Sequence, residues 1–266
     1  MSSEKIRKII DSSTPARRSM IDKLLHLPWF RDSSEETQKE ILTLPEDFNG
    51  YIEDLTNRPD EIGSLDIIRL SKITKGSFLI TSIFIVRSAT NNQEYTYEYV
   101  SWKTGSYTGV RGIIFLERND QITHFLVSKK FRFSTSEEEM ESIGGLFSHI
   151  ENNQILNLPK KIEDEIRFHL NLPKIKFTRI IDLGRVNPDF GMTNNSATVF
   201  VAIINIDHLP HDIVQNNFRT SHKLLNFEIK IVNIKEFPDY VQKIHDGYFL
   251  AAAAKILTSD KINLES

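Results

Sequence analysis

The 266-residue chain contains no cysteine, which removes disulfides, thiolate metal sites and thiol nucleophiles and fits a reducing compartment. It also lacks a surplus of positive charge. Its 33 Lys and Arg stand against 36 Asp and Glu, for a net charge of -3, and no long basic run occurs. A nucleic-acid partner is therefore not expected. Long apolar runs are missing as well: the opening MSSEKIRKIIDSSTPARRSM has no continuous apolar segment of the kind a signal peptide needs, and nothing approaches the ~18 apolar residues of a membrane span. The expectation is a cytoplasmic protein without membrane association. No internal repeat and no low-complexity linker interrupts the chain.

What is present suffices for a packed core, with 39% hydrophobic residues. The length fits one main domain with an elaborated end. Residues 1–62 read as a polar, helical extension: Ile6, Ile9 and Ile10, then Ile21, Leu24 and Leu25, recur at helical spacing, and Ser33 and Ser34 with Glu36 and Glu40 mark a helix start. Leu44-Pro45 and Arg58-Pro59-Asp60 punctuate this segment, because a residue before proline avoids the helical region.

From Gly63 the pattern turns to strands, and residues 63–110 read as a small antiparallel sheet. Residues 78–86 are rich in β-formers, and Tyr95, Tyr97 and Tyr99 alternate with Thr96 and Glu98 across an Asn91-Asn92 turn. The tyrosine stripe is either packing surface or a platform for stacking a base. Residues 111–260 then form the main domain. Gly112–Leu116 and His124–Val127 flank the turn residues Arg118-Asn119-Asp120; further strands fall near 176–183, 198–204 and 228–232. A helix over about 237–245 is expected to stop at Gly247 as its C-terminal cap, followed by a second helix holding Ala251 to Ala254, Ile256 and Leu257. The expected class is α/β (α+β), a mixed sheet with helices on its faces.

The chemistry-bearing residues cluster in one place. Glu141-Ser142-Ile143-Gly144-Gly145 and Glu151 are followed by Asp164-Glu165-Ile166-Arg167-Phe168-His169-Leu170-Asn171-Leu172. This resembles a degenerate form of the Nudix box, which runs glycine, five residues, glutamate, seven residues, Arg-Glu-apolar-x-Glu-Glu-x-Gly-apolar. Gly145 and Glu151 keep the spacing, and the preceding residues are similar to the Glu-Leu-Pro-Ala of the ADP-ribose pyrophosphatase-like branch. Val127–Arg132 looks like that branch's strand ending Gln-Tyr-Arg, Asn187–Met192 like its Pro-x-Pro-Gly loop, and Asp246–Ala252 like the start of its terminal helix. The resemblance spans about residues 64–258 and implies a Nudix-type α/β/α sandwich.

It also implies metal chemistry that this box is poorly equipped to perform. Diphosphate hydrolysis in the family uses divalent cations, and magnesium prefers an octahedral shell of hard oxygens. Aligned on Ile166 and Leu172, Asp164-Glu165 replace Arg-Glu, Phe168-His169 replace Glu-Glu, and Asn171 replaces the glycine, so Glu165 alone survives of the three helix carboxylates. Twelve residues separate Glu151 from Asp164 where the family has seven, an insertion that includes Pro159. Asp164 would repel Glu151 where the family's arginine attracts it, and Lys160 or Lys161 could take over that pairing. The family's late catalytic glutamate aligns with Phe227, with Glu228 one residue away and hence on the opposite face of a regular strand.

The resemblance assigns candidate roles residue by residue. Glu165, Glu151 and Glu228 are the catalytic candidates if the protein is active. Glu165, His169 and Glu151, with His149 nearby, are the candidate ligands for magnesium, manganese or zinc. Arg132, Gly144 and Gly145 are the candidates for holding ligand phosphate. His208 and His211 beside Asp207 and Asp212 receive no role. The leading expectation is a pseudoenzyme: a domain that binds an ADP-ribose-like nucleoside-diphosphate derivative or a protein partner without efficient hydrolysis, needing no cofactor. The alternatives are an active metal-dependent Nudix hydrolase and a purely structural scaffold. Members of the branch commonly form homodimers through their N-terminal sheets, which gives Tyr95, Tyr97 and Tyr99 a possible place beside a partner's pocket.

Overall fold

A computed structural model describes residues 3–146, 157–189, 191, 193–210, 218–222, 225–259, 262 and 264. The chain divides into two compact units, residues 1–108 with 148–150 and 189–195, and residues 109–147, 151–188 and 196–266.

The first unit joins the N-terminal helices to the antiparallel sheet around one core. The helices are α1 (Ser3–Ser12), α2 (Pro15–His26), α3 (Pro28–Arg31), α4 (Glu35–Leu42) and α5 (Asn49–Thr56), and the strands are β1 (Glu61–Ile62), β2 (Leu65–Lys75), β3 (Leu79–Ser88) and β4 (Glu94–Trp102), in sheet order β1-β2-β3-β4. Pro15 opens α2, where its missing N–H costs nothing. The Ser34 side chain caps α4 by accepting from the Thr37 amide at 3.1 Å. Ile21, Leu24, Trp29 and Phe30 from the helices and Leu70, Ile80 and Phe84 from the sheet share the core, with Trp29 edge-on to Phe84 at 5.6 Å. The change from helices to strands falls between Thr56 and Glu61 within this unit, just before Gly63.

Buried polar groups in this unit are satisfied from a distance. The buried Arg17 guanidinium donates to the carbonyl oxygens of Leu44 at 2.6 Å and Pro45 at 3.3 Å and to Asn49 Oδ1 at 2.6 Å, tying α2 to the turn that follows α4. Asp54 accepts from Asn194 Nδ2 at 2.6 Å, and burial pushes its carboxyl up to about 6 against the hydrogen bonds from Ser106 and Asn194. Arg58 lies over the Tyr99 ring at 4.2 Å.

The second unit is a sheet covered on both faces. Its strands are β5 (Tyr107–Arg118), β6 (Gln121–Arg132), β7 (Glu137–Glu141), β8 (Ile143–Leu146), β9 (Phe177–Val186), β10 (Ser196–Asn205), β11 (Phe218–His222) and β12 (Leu225–Asn233), in the order β11-β12-β6-β5-β10-β9, with β7 paired to β6 and β8 to β5. Helix α6 (Leu158–Leu170) packs Ile162, Ile166 and Leu170 against Val110, Ile114, Phe200 and Ile229 on one face. Helices α7 (Phe237–Lys243) and α8 (Gly247–Leu257) cover the other, where Phe237, Phe249, Ala252 and Ala253 meet Ile113, Phe115, Phe125 and Val201. Central β10 is buried from Ser196 to Ile204, which explains its continuous apolar sequence. This is the expected α/β/α sandwich. Gly247 begins α8 instead of capping α7, because Asp246 is the N-cap residue, accepting from the Tyr248 amide at 3.2 Å.

Candidate functional site

The site forms where two strands part. β5 and β6 pair from Ile114/Leu126 to Arg118/Gln121 and then separate; β7 continues the ladder of β6, and β8 that of β5. Residues 141–143 cross the gap. Their bend is pinned by Asp246, whose Oδ2 accepts from the Ser142 amide at 2.7 Å and the Ser142 hydroxyl at 2.5 Å, linking the bend to the start of α8. In β8, Gly144 and Gly145 face opposite walls. A Cβ on Gly144 would collide with the Val110 carbonyl of β5, and one on Gly145 with the Glu165 carboxylate of α6. Two glycines in succession let strand and helix approach to this distance.

Helix α6 carries the side chains that reach the gap. Its first turn is made by the inserted residues: Asn157 caps it by accepting from the Lys160 amide at 3.0 Å, and Pro159 fits the first turn. The insertion thus extends the helix backward and adds Lys160 and Lys161 to its surface. Lys160 Nζ pairs with Asp164 Oδ1 at 2.7 Å, and Lys161 Nζ pairs with Glu165 Oε1, each at i, i+4. Asn171 ends the helix with φ of 49°, the left-handed conformation for which the family's box supplies glycine.

One turn beyond Glu165, His169 is 4% exposed and its Nε2 donates to the Gly144 carbonyl at 3.0 Å. Its ring lies 4.8 Å from that of Phe227 in β12, while its Nδ1 is buried without a partner. Burial lowers the imidazole to about 4, with the Gly144 bond opposing the shift and the charges of Lys130 and Arg111 adding to it. The ring is neutral at physiological pH.

Three more charges surround this pair of glycines. Arg111 stands opposite Gly144 in the β5/β8 register. Lys130 Nζ lies 3.3 Å from Glu141 Oε2 and 5.8 Å from the Phe227 ring. Arg132 grips both oxygens of Glu141 through Nε and a terminal nitrogen, the bidentate arrangement suited to its planar fork. Burial favours a neutral Glu141, but the Arg132 fork with the charges of Lys130 and Arg111 holds its carboxyl below the usual range. Burial also lowers Lys130 against the pull of Glu141.

The structure thus brings together Glu165, His169, Gly144, Gly145 and, along β6, Arg132. Glu228 is not among them. It pairs in register with Lys129, and its neighbour Phe227 is the residue whose ring meets His169, so alternation along the strand directs Glu228 to the far side of the sheet. His149, Glu151, His211 and Asp212 lie outside the described residues; Asp207 pairs with Arg118 at 3.0 Å. In the first unit Tyr99 is buried, Tyr97 donates to the Gly191 carbonyl at 2.9 Å, and Tyr95 is 43% exposed. Sequence reasoning missed Arg111, Lys130 and Asp246, and for the first two the only signal is their position flanking the apolar runs of β5 and β6.

The described donors do not fit a divalent cation. Glu165 is committed to Lys161, the His169 N–H already occupies the Gly144 carbonyl, and Phe168 and Phe227 replace oxygen ligands by rings. Among the described residues no three His, Asp or Glu side chains gather in a way that could hold a metal. A shallow cavity of about 430 Å³ opens beside the same helix, lined by Asp164, Arg167, Phe168, Asn171, Leu172 and Pro173.

No family model and no curated protein sequence matches the chain. Among solved structures it is similar to one described as the crystal structure of an ADP compounds hydrolase, with a TM-score of 0.52 and 10% identity over 75% of this chain and 95% of that one. At that identity the likeness concerns the fold. The α/β/α layers, the parted strands with their glycine pair and this similarity together give the chain a Nudix-like fold.

Proposed function

We propose that the second unit binds the diphosphate of an ADP-ribose-like nucleoside-diphosphate derivative and does not hydrolyse it efficiently. The observation that carries this reading is the pairing of His169 with the Gly144 carbonyl, one turn from Glu165 held by Lys161. These contacts occupy the groups that a metal-dependent reaction would need, while leaving a cation-rich gap between strands. A phosphate anion suits such a gap through charge-assisted hydrogen bonds to arginine and lysine. The similarity to a hydrolase of ADP compounds supports the choice of ligand class.

Calorimetric titration with ADP-ribose tests the reading. Saturable binding, weakened by Arg111→Ala, is expected. Absence of any heat of binding with ADP-ribose, ADP or inorganic diphosphate would contradict it and favour a scaffold role. Turnover of ADP-ribose that Glu165→Gln abolishes would establish the hydrolase alternative instead.

A further inference from the structure

Phe168 stands at a position where the family's box has a carboxylate. Its ring is 40% exposed yet leans on two others, that of His169 edge-on at 5.7 Å and that of Phe227 at 6.4 Å. Single exposed apolar side chains are ordinary on a protein surface; the surroundings of this one are not. It lines the cavity of about 430 Å³ beside α6, together with Asp164, Arg167 and Asn171. At i, i+3, i+4 and i+7 these four share one side of the helix, apart from Ile162, Ile166 and Leu170, which meet the sheet. The Arg167 guanidinium is held there by charge alone: Glu163 and Asp164 oxygens lie 3.9 and 3.7 Å from one terminal nitrogen, and its Nε has no hydrogen-bond partner. A planar ring and a planar cation on consecutive residues are stacking surfaces for a flat, aromatic ligand. The Asn171 amide adds a donor and an acceptor for such a ligand's edge.

The cavity also neighbours the gap between the strands. Lys130 Nζ lies 5.8 Å from the Phe227 ring, and the same ring supports Phe168, so Phe227 is the neighbour that the gap and the cavity share. We propose that this cavity seats the base of a nucleoside diphosphate, stacked on Phe168 beside Arg167, while the diphosphate lies in the gap near Gly144 and Gly145. The inference rests on the diphosphate-binding reading above and adds to it the subsite that separates a nucleotide from a bare diphosphate. It gives Phe168, in place of a carboxylate, a direct contact with the ligand.

The test is calorimetric titration of the full-length protein with ADP-ribose, ADP and inorganic diphosphate, for the natural sequence, Phe168→Leu and Phe168→Trp. The Leu variant is expected to bind both nucleotides about tenfold more weakly, the scale of one lost base–aromatic stack, and inorganic diphosphate as before; the Trp variant should recover the nucleotides. Proton NMR of ADP with the unaltered protein supplies a readout that needs no variant: the adenine protons should move upfield under the ring current of Phe168. Adenine resonances that stay in place on binding, or a Leu variant that binds ADP undiminished, would overturn the base seat while leaving the diphosphate reading intact. Equal weakening of inorganic diphosphate by Phe168→Leu would overturn it too, since the ring would then act on the gap. No binding of any of the three probes would overturn both readings.

Discussion

His169 shows how a single residue can change the chemistry of a site while preserving its shape. An imidazole reaches the Gly144 carbonyl from the helix position where the family's box has a carboxylate, and Nε2–H donates where a metal-bound arrangement requires acceptors. The cost is a neutral, buried ring that resists protonation. Its folded-state value of about 4 lies below its ordinary 6.5, so the unfolded chain binds the proton more readily. The stability of the second unit is therefore complete above pH 6.5 and falls as pH drops toward 4, by up to roughly 3 kcal/mol. Asp54 in the first unit has the opposite sign. Its folded value near 6 exceeds its ordinary 3.8, so its contribution is greatest below 3.8 and is lost as pH rises through 6. Both tryptophans, Trp29 and Trp102, belong to the first unit, which gives a separate optical readout. Acidification from pH 6.5 to 4.5 should lower amide-exchange protection in α6 and β12 but not the urea midpoint by tryptophan fluorescence, and His169→Gln should flatten the first effect. An unaltered slope in that variant would contradict the assignment.

At the scale of elements, the box helix illustrates what a sequence can and cannot reveal. Its apolar positions Ile162, Ile166 and Leu170 fix which face meets the sheet, and these are legible from spacing. The side on which Glu228 falls was legible too, because a strand's alternation leaves no freedom once Phe227 is buried. The inserted residues were not. Counted by spacing as an insertion between the two halves of the box, they form the first turn of α6, where proline is tolerated and Asn157 provides the cap. Gly247 likewise read as the end of α7, but Asp246 makes it the start of α8 by capping the Tyr248 amide with one carboxylate oxygen while the other holds Ser142. Asn171 offers a test at this scale. It holds the left-handed end of α6, which only glycine adopts without steric cost, so Asn171→Gly should be neutral or stabilising by about 1 kcal/mol and Asn171→Val destabilising by more than that, measured by urea unfolding. Equal stability of the two variants would show that the helix does not end in this conformation.

For the whole molecule, the charge balance near neutrality conceals a local cluster of charge. A net charge of -3 over the chain gives no hint that Arg111, Lys130 and Arg132 gather with Glu141 beside Gly144 and Gly145, because β5 and β6 bring them together from separate stretches of sequence. The fold was legible through its strand pattern and box remnants; the charge cluster was not, since long-range pairing assembles it. The central claim, retention of a diphosphate without its cleavage, is tested most directly by phosphorus NMR of ADP-ribose mixed with equimolar protein, first in EDTA and then after addition of magnesium. The two diphosphate resonances are expected to shift on adding protein and to persist after magnesium is added. Growth of phosphomonoester signals from AMP and ribose 5-phosphate, absent in Glu165→Gln, would contradict the account.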